Sequence, residues 1–293
     1  MKRSTTIILF FVVLFFLFAS ARSVCAATAN AKPTLSYSPS VIMQGEPFMV
    51  SVGGVKSISA VKKLTFDGTA VPVFLYQNSL TALVGVALNK NPGVYKLTLT
   101  LSGGQIITKN VTVSLRPQVA EPLGIPAKLG GDTTASQNNM VNELVAENKT
   151  LTNIKTAGTA LWTKKFLPPL QNILVTDPYG YSRQTGVYSI PHKGVDYKAP
   201  PGTEVMAIGR GIVRVTKNYT EYGNTIVIDH GLGLMSFYLH LSKINVKVGQ
   251  LVGQGQVVGL SGETGYTEGP HLHLSVRIGG VSIDPVKFFA LFK

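Results

Sequence analysis

The alternation of apolar and polar residues divides the chain into three stretches. Between residues 33 and 115, short apolar runs at Phe48–Val52, Lys63–Phe66, Val71–Tyr76, Thr81–Ala87, Val94–Leu101 and Ile106–Leu115 read as strands. Gly53-Gly54, Asp67-Gly68, Asn91-Pro92-Gly93 and Gly103-Gly104 fall between them as turns. Strands at this spacing predict a β-sandwich, immunoglobulin-like in outline, over residues 27–116. The stretch holds no histidine and nothing that resembles a site, which implies a spacer or docking role.

Residues 117–170 change character. Pro117, Pro122 and Pro126 break the chain, and then Thr134–Ile154 is polar and free of proline and glycine. Met140, Leu144, Val145, Leu151 and Ile154 recur there at near-helical spacing, so one helix is predicted within a linker. Trp162, the only tryptophan, reads as a packing residue at the entry to the next domain. Residues 171–293 are glycine-dense, with strand-like runs at Glu204–Ile208, Gly211–Thr216, Thr225–Asp229, Met235–His240, Val257–Leu260 and Leu272–Ile278. They predict a compact all-β domain with many tight turns, and a mainly β molecule throughout.

The first residues stand apart. Lys2 and Arg3 precede an uncharged apolar run from Ile7 to Ala19, and Val24 and Ala26 stand at the −3 and −1 positions of a signal-peptidase site. Residues 1–26 are read as a cleaved secretory signal, with an uncleaved N-terminal anchor as the alternative. The run is shorter than the roughly 20 residues of a membrane span, so no stable span is expected after processing. The mature chain belongs to the periplasm, the cell envelope or the medium. Cys25 is the only cysteine. Cleavage after Ala26 leaves no disulfide, no cysteine metal ligand and no thiol nucleophile. The formal charge of +13 draws the protein to anionic polymers such as cell-wall material. The lysines are scattered and no nucleic-acid motif is present, which argues against nucleic acid as a partner. The sequence leaves the oligomeric state open.

The chemistry concentrates after residue 191, where all five histidines lie. In His271-Leu272-His273 a strand places both imidazoles on one face and Leu272 on the other. In His192-Lys193-Gly194-Val195-Asp196 a turn leading into a strand can bring an imidazole and a carboxylate to one point. Phe237-Tyr238-Leu239-His240 adds a further histidine on a strand. Nitrogen and oxygen donors without sulfur suit zinc at a catalytic site, which takes three protein ligands and leaves a position open. Five candidates exceed three ligands, and the surplus histidines suit proton transfer or stabilisation of developing charge.

At these residues the chain resembles the lysostaphin-type, or LytM-type, zinc endopeptidases of bacterial cell walls. The likeness opens with His192 to Asp196 and continues through Pro201 to Val213 and Tyr222-Gly223-Asn224. It passes through Tyr238 to Leu241 and the glycine–glutamine runs at Val246 to Gln250 and Gly253 to Gln256, and closes at Gly269 to His273 and Asp284-Pro285. The resemblance implies a LytM-type fold for residues 171–293, with His192, Asp196 and His273 holding one Zn2+ and His240 and His271 as the catalytic pair. It implies hydrolysis of peptide stems or cross-bridges of peptidoglycan, and leaves open whether the bond is D-alanyl to a diaminoacid or glycyl to glycine. Two positions depart from the pattern. Ser275 stands where many relatives carry glutamate, which bears on the orientation of His273, and Leu239 replaces a common alanine.

Tyr238 shares a face with His240 in a regular strand and reads as core packing first and as a substrate contact second; Asn224 reads as a turn residue before a substrate contact, and Arg183 as a candidate lining the substrate groove. His230 and Asp284-Pro285 read as structural. A catalytically inactive LytM-type factor that binds or activates another wall hydrolase is the alternative function; such a protein should lack ligands, and all five positions are filled here. The halves Val246–Gln250 and Gly255–Gly259 also resemble a lipoyl-type hairpin, but no lysine stands at a tight turn between them.

Overall fold

The computed structural model describes residues 31–292; residues 1–26, read from the sequence as a secretory signal, and with them Cys25, lie outside the described residues. In the N-terminal part the strands are β1 (Thr34–Ser38), β2 (Ile42–Met43), β3 (Pro47–Gly53), β4 (Val61–Phe66), β5 (Thr69–Ala70), β6 (Phe74–Tyr76), β7 (Ser79–Gly85), β8 (Gly93–Leu101) and β9 (Ile106–Ser114). They form one sheet in the order β1-β3-β7-β6 and another in the order β2-β9-β8-β4-β5. Only the β2–β9 pair among these is parallel. Along β8, Leu97, Leu99 and Leu101 are buried while Lys96, Thr98 and Thr100 turn outward, the period-two pattern of a half-covered sheet. Phe48, Val50, Leu64, Leu97 and Val111 share one core.

The run Val71–Tyr76 is not one strand. Pro72 has no N–H to give to a ladder, and the chain leaves β5 at Ala70 and re-enters at Phe74. The strand expected at Thr81–Ala87 begins two residues earlier, at Ser79. Strand β1 had no expectation, although Leu35 lies buried between exposed Thr34 and Ser36.

Next come β10 (Ala120–Pro122) and helix α1 (Thr134–Thr152). The helix starts where Thr133 accepts the N–H of Ser136, a side-chain cap on an otherwise unpaired donor. It ends two residues before the expected Ile154. Strand β10 runs parallel to β12, so the expected linker is stitched into the C-terminal part.

The strands of that part are β11 (Val175–Asp177), β12 (Ser182–Thr185), β13 (Tyr188–Pro191), β14 (Val195–Lys198), β15 (Glu204–Met206), β16 (Gly211–Tyr219), β17 (Gly223–Gly231), β18 (Leu234–Leu241), β19 (Lys243–Ile244), β20 (Leu251–Val252), β21 (Val257–Leu260), β22 (His271–Ile278) and β23 (Val281–Ile283). The large sheet has the order β11-β14-β22-β18-β17-β16-β20, with β23 beside β22, and a small sheet has the order β15-β21-β19. Leu272, Leu274 and Val276 of β22 and Tyr238 of β18 point from one face of the large sheet into the main core, with Val205 and Val258 of the small sheet. The opposite face carries His271, His273, Ser275 and Arg277.

A short helix, α2 (Pro285–Ala290), was not foreseen in the all-β reading. Its signal was present: Asp284 caps it by accepting the N–H groups of Val286 and Lys287, and Pro285 occupies its first position. Among the described residues no helix is long and apolar enough to cross a membrane.

Candidate metal centre

Strand pairing sets the first two residues of the site. Asp196 of β14 lies directly opposite His273 of β22, so their side chains leave the same face of the sheet. His192 enters from the end of the β12–β13 hairpin, where its N–H donates to Tyr181 O at 2.7 Å and its own carbonyl accepts from Gly180 N at 2.8 Å. Between His192 and Asp196 the backbone passes tightly over β22. A Cβ at Gly194 would collide with the His273 imidazole and lie 2.7 Å from Leu274 O, so a side chain has no room there.

Three atoms converge. His192 Nε2 lies 3.1 Å from Asp196 Oδ1, His273 Nδ1 lies 2.8 Å from the same oxygen, and the two nitrogens are 3.0 Å apart. The other ring nitrogens fix the tautomers. His192 Nδ1–H donates to Pro178 O at 3.0 Å, and His273 Nε2–H donates to Ser275 Oγ at 2.9 Å. Ser275 in turn donates to Lys193 O at 2.9 Å, so the residue that departs from the family pattern does orient His273. Both imidazoles therefore turn bare lone pairs toward a carboxylate oxygen. Three acceptors facing one another repel unless a cation lies among them. Tetrahedral zinc ligands at about 2.0–2.2 Å from one ion stand roughly 3.3 Å apart, so the donor set fits such an ion after slight spreading. These three residues are the cluster suited to a metal ion among the described residues.

Asp196 is buried, which works against its charge. With no cation among the three atoms, protons shared from His192 and His273 hold its carboxyl well below the usual carboxylate range, the place that a metal ion's charge would take. Burial pushes His273 down to about 4 despite the Asp196 charge beside it. The second carboxylate oxygen, Asp196 Oδ2, is taken by Arg183 Nη2 at 2.5 Å, and the same guanidinium grips Asp177 through Nη2 and through Nε at 3.0 Å. Arg183 thus lies at the cleft with its guanidinium committed to two carboxylates.

His240 and His271 flank the three atoms. His240 Nδ1–H donates to Thr264 O at 2.8 Å, and His271 Nδ1 meets Gly269 O at 2.9 Å. Each therefore presents a bare Nε2. That of His271 is buried without a protein partner and lies 3.7 Å from Asp196 Oδ1. The two rings are 4.9 Å apart. Burial, and then the neighbouring His271 and His273 rings, push His240 down to about 3.

A bulge brings His240 here. The pairing of β17 with β18 runs from Asn224↔Leu241 to Ile226↔Tyr238, one residue out of step, and His240 adopts φ 60°. The extra residue reverses the alternation, so Tyr238 and His240 do not share a face. Tyr238 is fully buried in the core, where its hydroxyl accepts the N–H of Ile208 at 2.9 Å. Asn224 is held in the β17 turn, donating to Leu241 O at 2.9 Å. The structure brings His192, Asp196, His273, His240, His271 and Arg183 together and leaves Tyr238 and Asn224 outside. Sequence reasoning missed Thr264, whose carbonyl sets the His240 tautomer and which carries no local signal. It also missed the tie from Arg183 to Asp196.

The site opens into a cavity of about 280 Å³ lined by His192, His240 and His273 on the sheet and by Val141, Leu144 and Asn148 of α1.

Comparison with known proteins bears on this geometry. The sequence profile of peptidase family M23 matches residues 190–285. Peptidoglycan DD-endopeptidase ShyA of Vibrio cholerae is 48% identical over 97 residues, which make up 33% of this chain and 23% of that protein. DD-carboxypeptidase/endopeptidase Mpg of Neisseria meningitidis is 36% identical over 121 residues, 41% of this chain and 28% of that protein. The chain thus spans about a quarter of the length of these curated relatives. A crystal structure from Pseudomonas aeruginosa, assigned to peptidase M23, superposes with a TM-score of 0.64 at 26% identity, covering 87% of this chain and 96% of that one.

Proposed function

This chain belongs to peptidase family M23, and we propose that it is a zinc-dependent endopeptidase that hydrolyses peptide bonds of peptidoglycan. The observation that carries the reading is the convergence of His192 Nε2, Asp196 Oδ1 and His273 Nδ1 within 2.8–3.1 Å of one another, beside two further imidazoles with bare Nε2 atoms. Of the two bonds left open by the sequence, likeness to proteins named DD-endopeptidases favours the D-alanyl to diaminoacid link. We read the two N-terminal sheets as an immunoglobulin-like accessory domain and the protein as exported to the cell envelope.

A divalent ion held by His192, Asp196 and His273 would polarise the scissile carbonyl and lower the pKa of a water molecule. The chain's own residues handle the protons. His240 and His271 keep their Nδ1 atoms in bonds to backbone carbonyls, so each has Nε2 turned into the cleft to take a proton from the attacking water or return one to the leaving amine. Arg183 holds the outer oxygen of Asp196, which leaves Oδ1 as the donor aimed at the imidazoles.

The test is digestion of purified peptidoglycan by residues 27–293, with mass analysis of the released fragments. Release should stop in Asp196→Ala and after chelation, and return when zinc is restored to the wild-type protein. Undiminished release by Asp196→Ala would remove the metal reading.

A further inference from the structure

Beside the cleft the chain buries a carboxylate that meets no cation. Helix α1 is fixed over the sheet there. Leu151 belongs to one apolar cluster with Tyr219, Phe237 and Leu239, and Asn148 donates to Tyr222 Oη at 2.7 Å and accepts from Arg277 Nη2 at 3.2 Å. The helix is thus a standing wall of the cleft. From this wall the Glu147 carboxylate accepts the backbone N–H of Glu221 at 3.0 Å and of Tyr222 at 3.1 Å, one with each oxygen. Those bonds satisfy Glu147 and fix the turn between β16 and β17. The side chain of Glu221 has no such arrangement: it is 5% exposed, and its Oε2 is buried without a protein partner. A carboxylate in that condition is costly to keep, which marks it as a group that awaits a partner from outside the chain.

Glu221 stands where two spaces meet. On one side is the cavity shared by His192, His240 and His273, and on the other a second cavity of about 510 Å³ that Asn139 and Glu143 of α1 also line. Glu221 and Tyr266 line both. Among the described residues no lysine or arginine lines the second cavity. Short backbone bonds tie this corner to the catalytic strand. The Glu221 carbonyl accepts the N–H of Tyr266 at 2.8 Å, and the carbonyl of the next residue, Tyr222, accepts the N–H of His240 at 3.0 Å. The titratable groups that face Glu221 are Glu147 and Glu143 of α1, Tyr222 on its own turn and Tyr266 across the cavity. Burial, and then the two helix carboxylates, push Glu221 up to about 7. The three carboxylates do not converge on one point as the ligands of an ion do, so a cationic group carried on a flexible chain suits the corner better than a bare metal.

We propose that Glu221 is a specificity residue that binds the free ammonium group of a diaminoacid residue in the substrate's peptide stem. The inference rests on the peptidoglycan reading for its substrate, and on the unpartnered carboxylate for its site. A diaminoacid has two amines. One is spent in the stem and is a neutral amide. The second is an amide where it is cross-linked and an ammonium where it is not, so a cross-linked pair of stems keeps one positive group near the scissile bond. Its N–H groups would donate to Glu221 Oε2, while the charges of Glu143 and Glu147 add attraction from the helix side. A glycine bridge offers no such group. Binding needs Glu221 ionised, so the preference for a free amine strengthens as pH rises from 5 through about 7.

The full processed chain is tested on a cross-linked muropeptide dimer whose remaining amine is either free or acetylated. In the wild type, acetylation should lower kcat/KM by roughly 30-fold at pH 7.5, the worth of a hydrogen bond to a charged group, and chiefly through KM. The loss should shrink toward pH 5. In Glu221→Gln the ratio between the two dimers should fall to near one at every pH. A merely structural role would not do this, because damage to the fold slows both dimers alike. Should Glu221→Gln lose its fold, Glu143→Gln, at an exposed position, should still lower the ratio several-fold. A second readout needs no cleavage. An uncross-linked stem peptide ending in D-alanine, its diaminoacid amine free or acetylated, is titrated into the wild type by calorimetry, and the free amine should bind roughly 30-fold more tightly. Equal kcat/KM for the two dimers, or a ratio untouched in folded Glu221→Gln, would overturn the ammonium site and leave the peptidase reading standing. Discrimination in binding that Glu221→Gln abolishes, with no cleavage by the zinc-loaded wild type, would support the ammonium site and overturn the peptidase reading instead.

Discussion

At Ser275 one hydroxyl has two partners, His273 Nε2–H and Lys193 O. Ser275→Ala frees the imidazole to turn while leaving all three proposed ligands in place. Metal affinity should fall 10- to 100-fold or thereabouts, read by competition with a chromogenic chelator. His230 has a different consequence. It is fully buried, bonded to Arg210 O at 3.0 Å and Ser236 Oγ at 2.8 Å, and burial pushes it from 6.5 down to about 4. The folded state resists a proton that the unfolded chain accepts. The stability from this residue is therefore complete above about pH 6.5 and is lost as pH falls toward 4, on the order of 3 kcal/mol in all. His230→Gln should remove that part of the pH dependence, measured as urea midpoints at pH 7.5 and 4.5. At this scale the site was largely legible. Spacing supplied the five candidates and family likeness chose 192, 196 and 273 among them; Tyr238 lies in the core as its packing reading had it, but not on the face of His240, because a one-residue bulge leaves no mark in an apolar run.

Elements were legible wherever apolar and polar residues alternate. Leu97, Leu99 and Leu101 announce β8 by alternation, and β22 is announced by Leu272, Leu274 and Val276. Strand β18, buried on both faces, is mostly apolar without strict alternation, so its existence is readable but not its facing. Helix α1 was legible by its lack of proline and glycine more than by its face, since few of its residues are buried. Its start depends on the Thr133 hydroxyl, which accepts the N–H of Ser136 at 3.1 Å. Thr133→Ala should cost the helix about 1 kcal/mol and raise exchange in its first turn by several-fold, with the sheet amides unaffected.

Across the whole molecule, Arg116 joins parts that the sequence showed as separate stretches. Its guanidinium donates to Gln44 O at 2.8 Å and to Asp284 Oδ2 at 3.1 Å, lies 3.7 Å from Glu46 Oε1, and faces the Tyr179 ring at 5.2 Å. Nothing in the sequence pairs residue 116 with residue 284, because such contacts depend on how sheets pack and not on local pattern. Arg116→Ala would leave the buried Asp284 without its ion-pair partner and Glu46 with Lys287 alone, and should destabilise the protein by about 3 kcal/mol, seen as a lower melting temperature and a broader or split calorimetric transition. The indole of Trp162 belongs to the same junction. It packs against Phe74 and Tyr76 of β6 and against Phe166 and Phe292, with ring centroids 5.0–5.6 Å away. The chain has one tryptophan, so its fluorescence has a single origin. Emission excited at the red edge of the absorption band is thus a built-in optical gauge of how the N-terminal sheets are seated, with no dye needed.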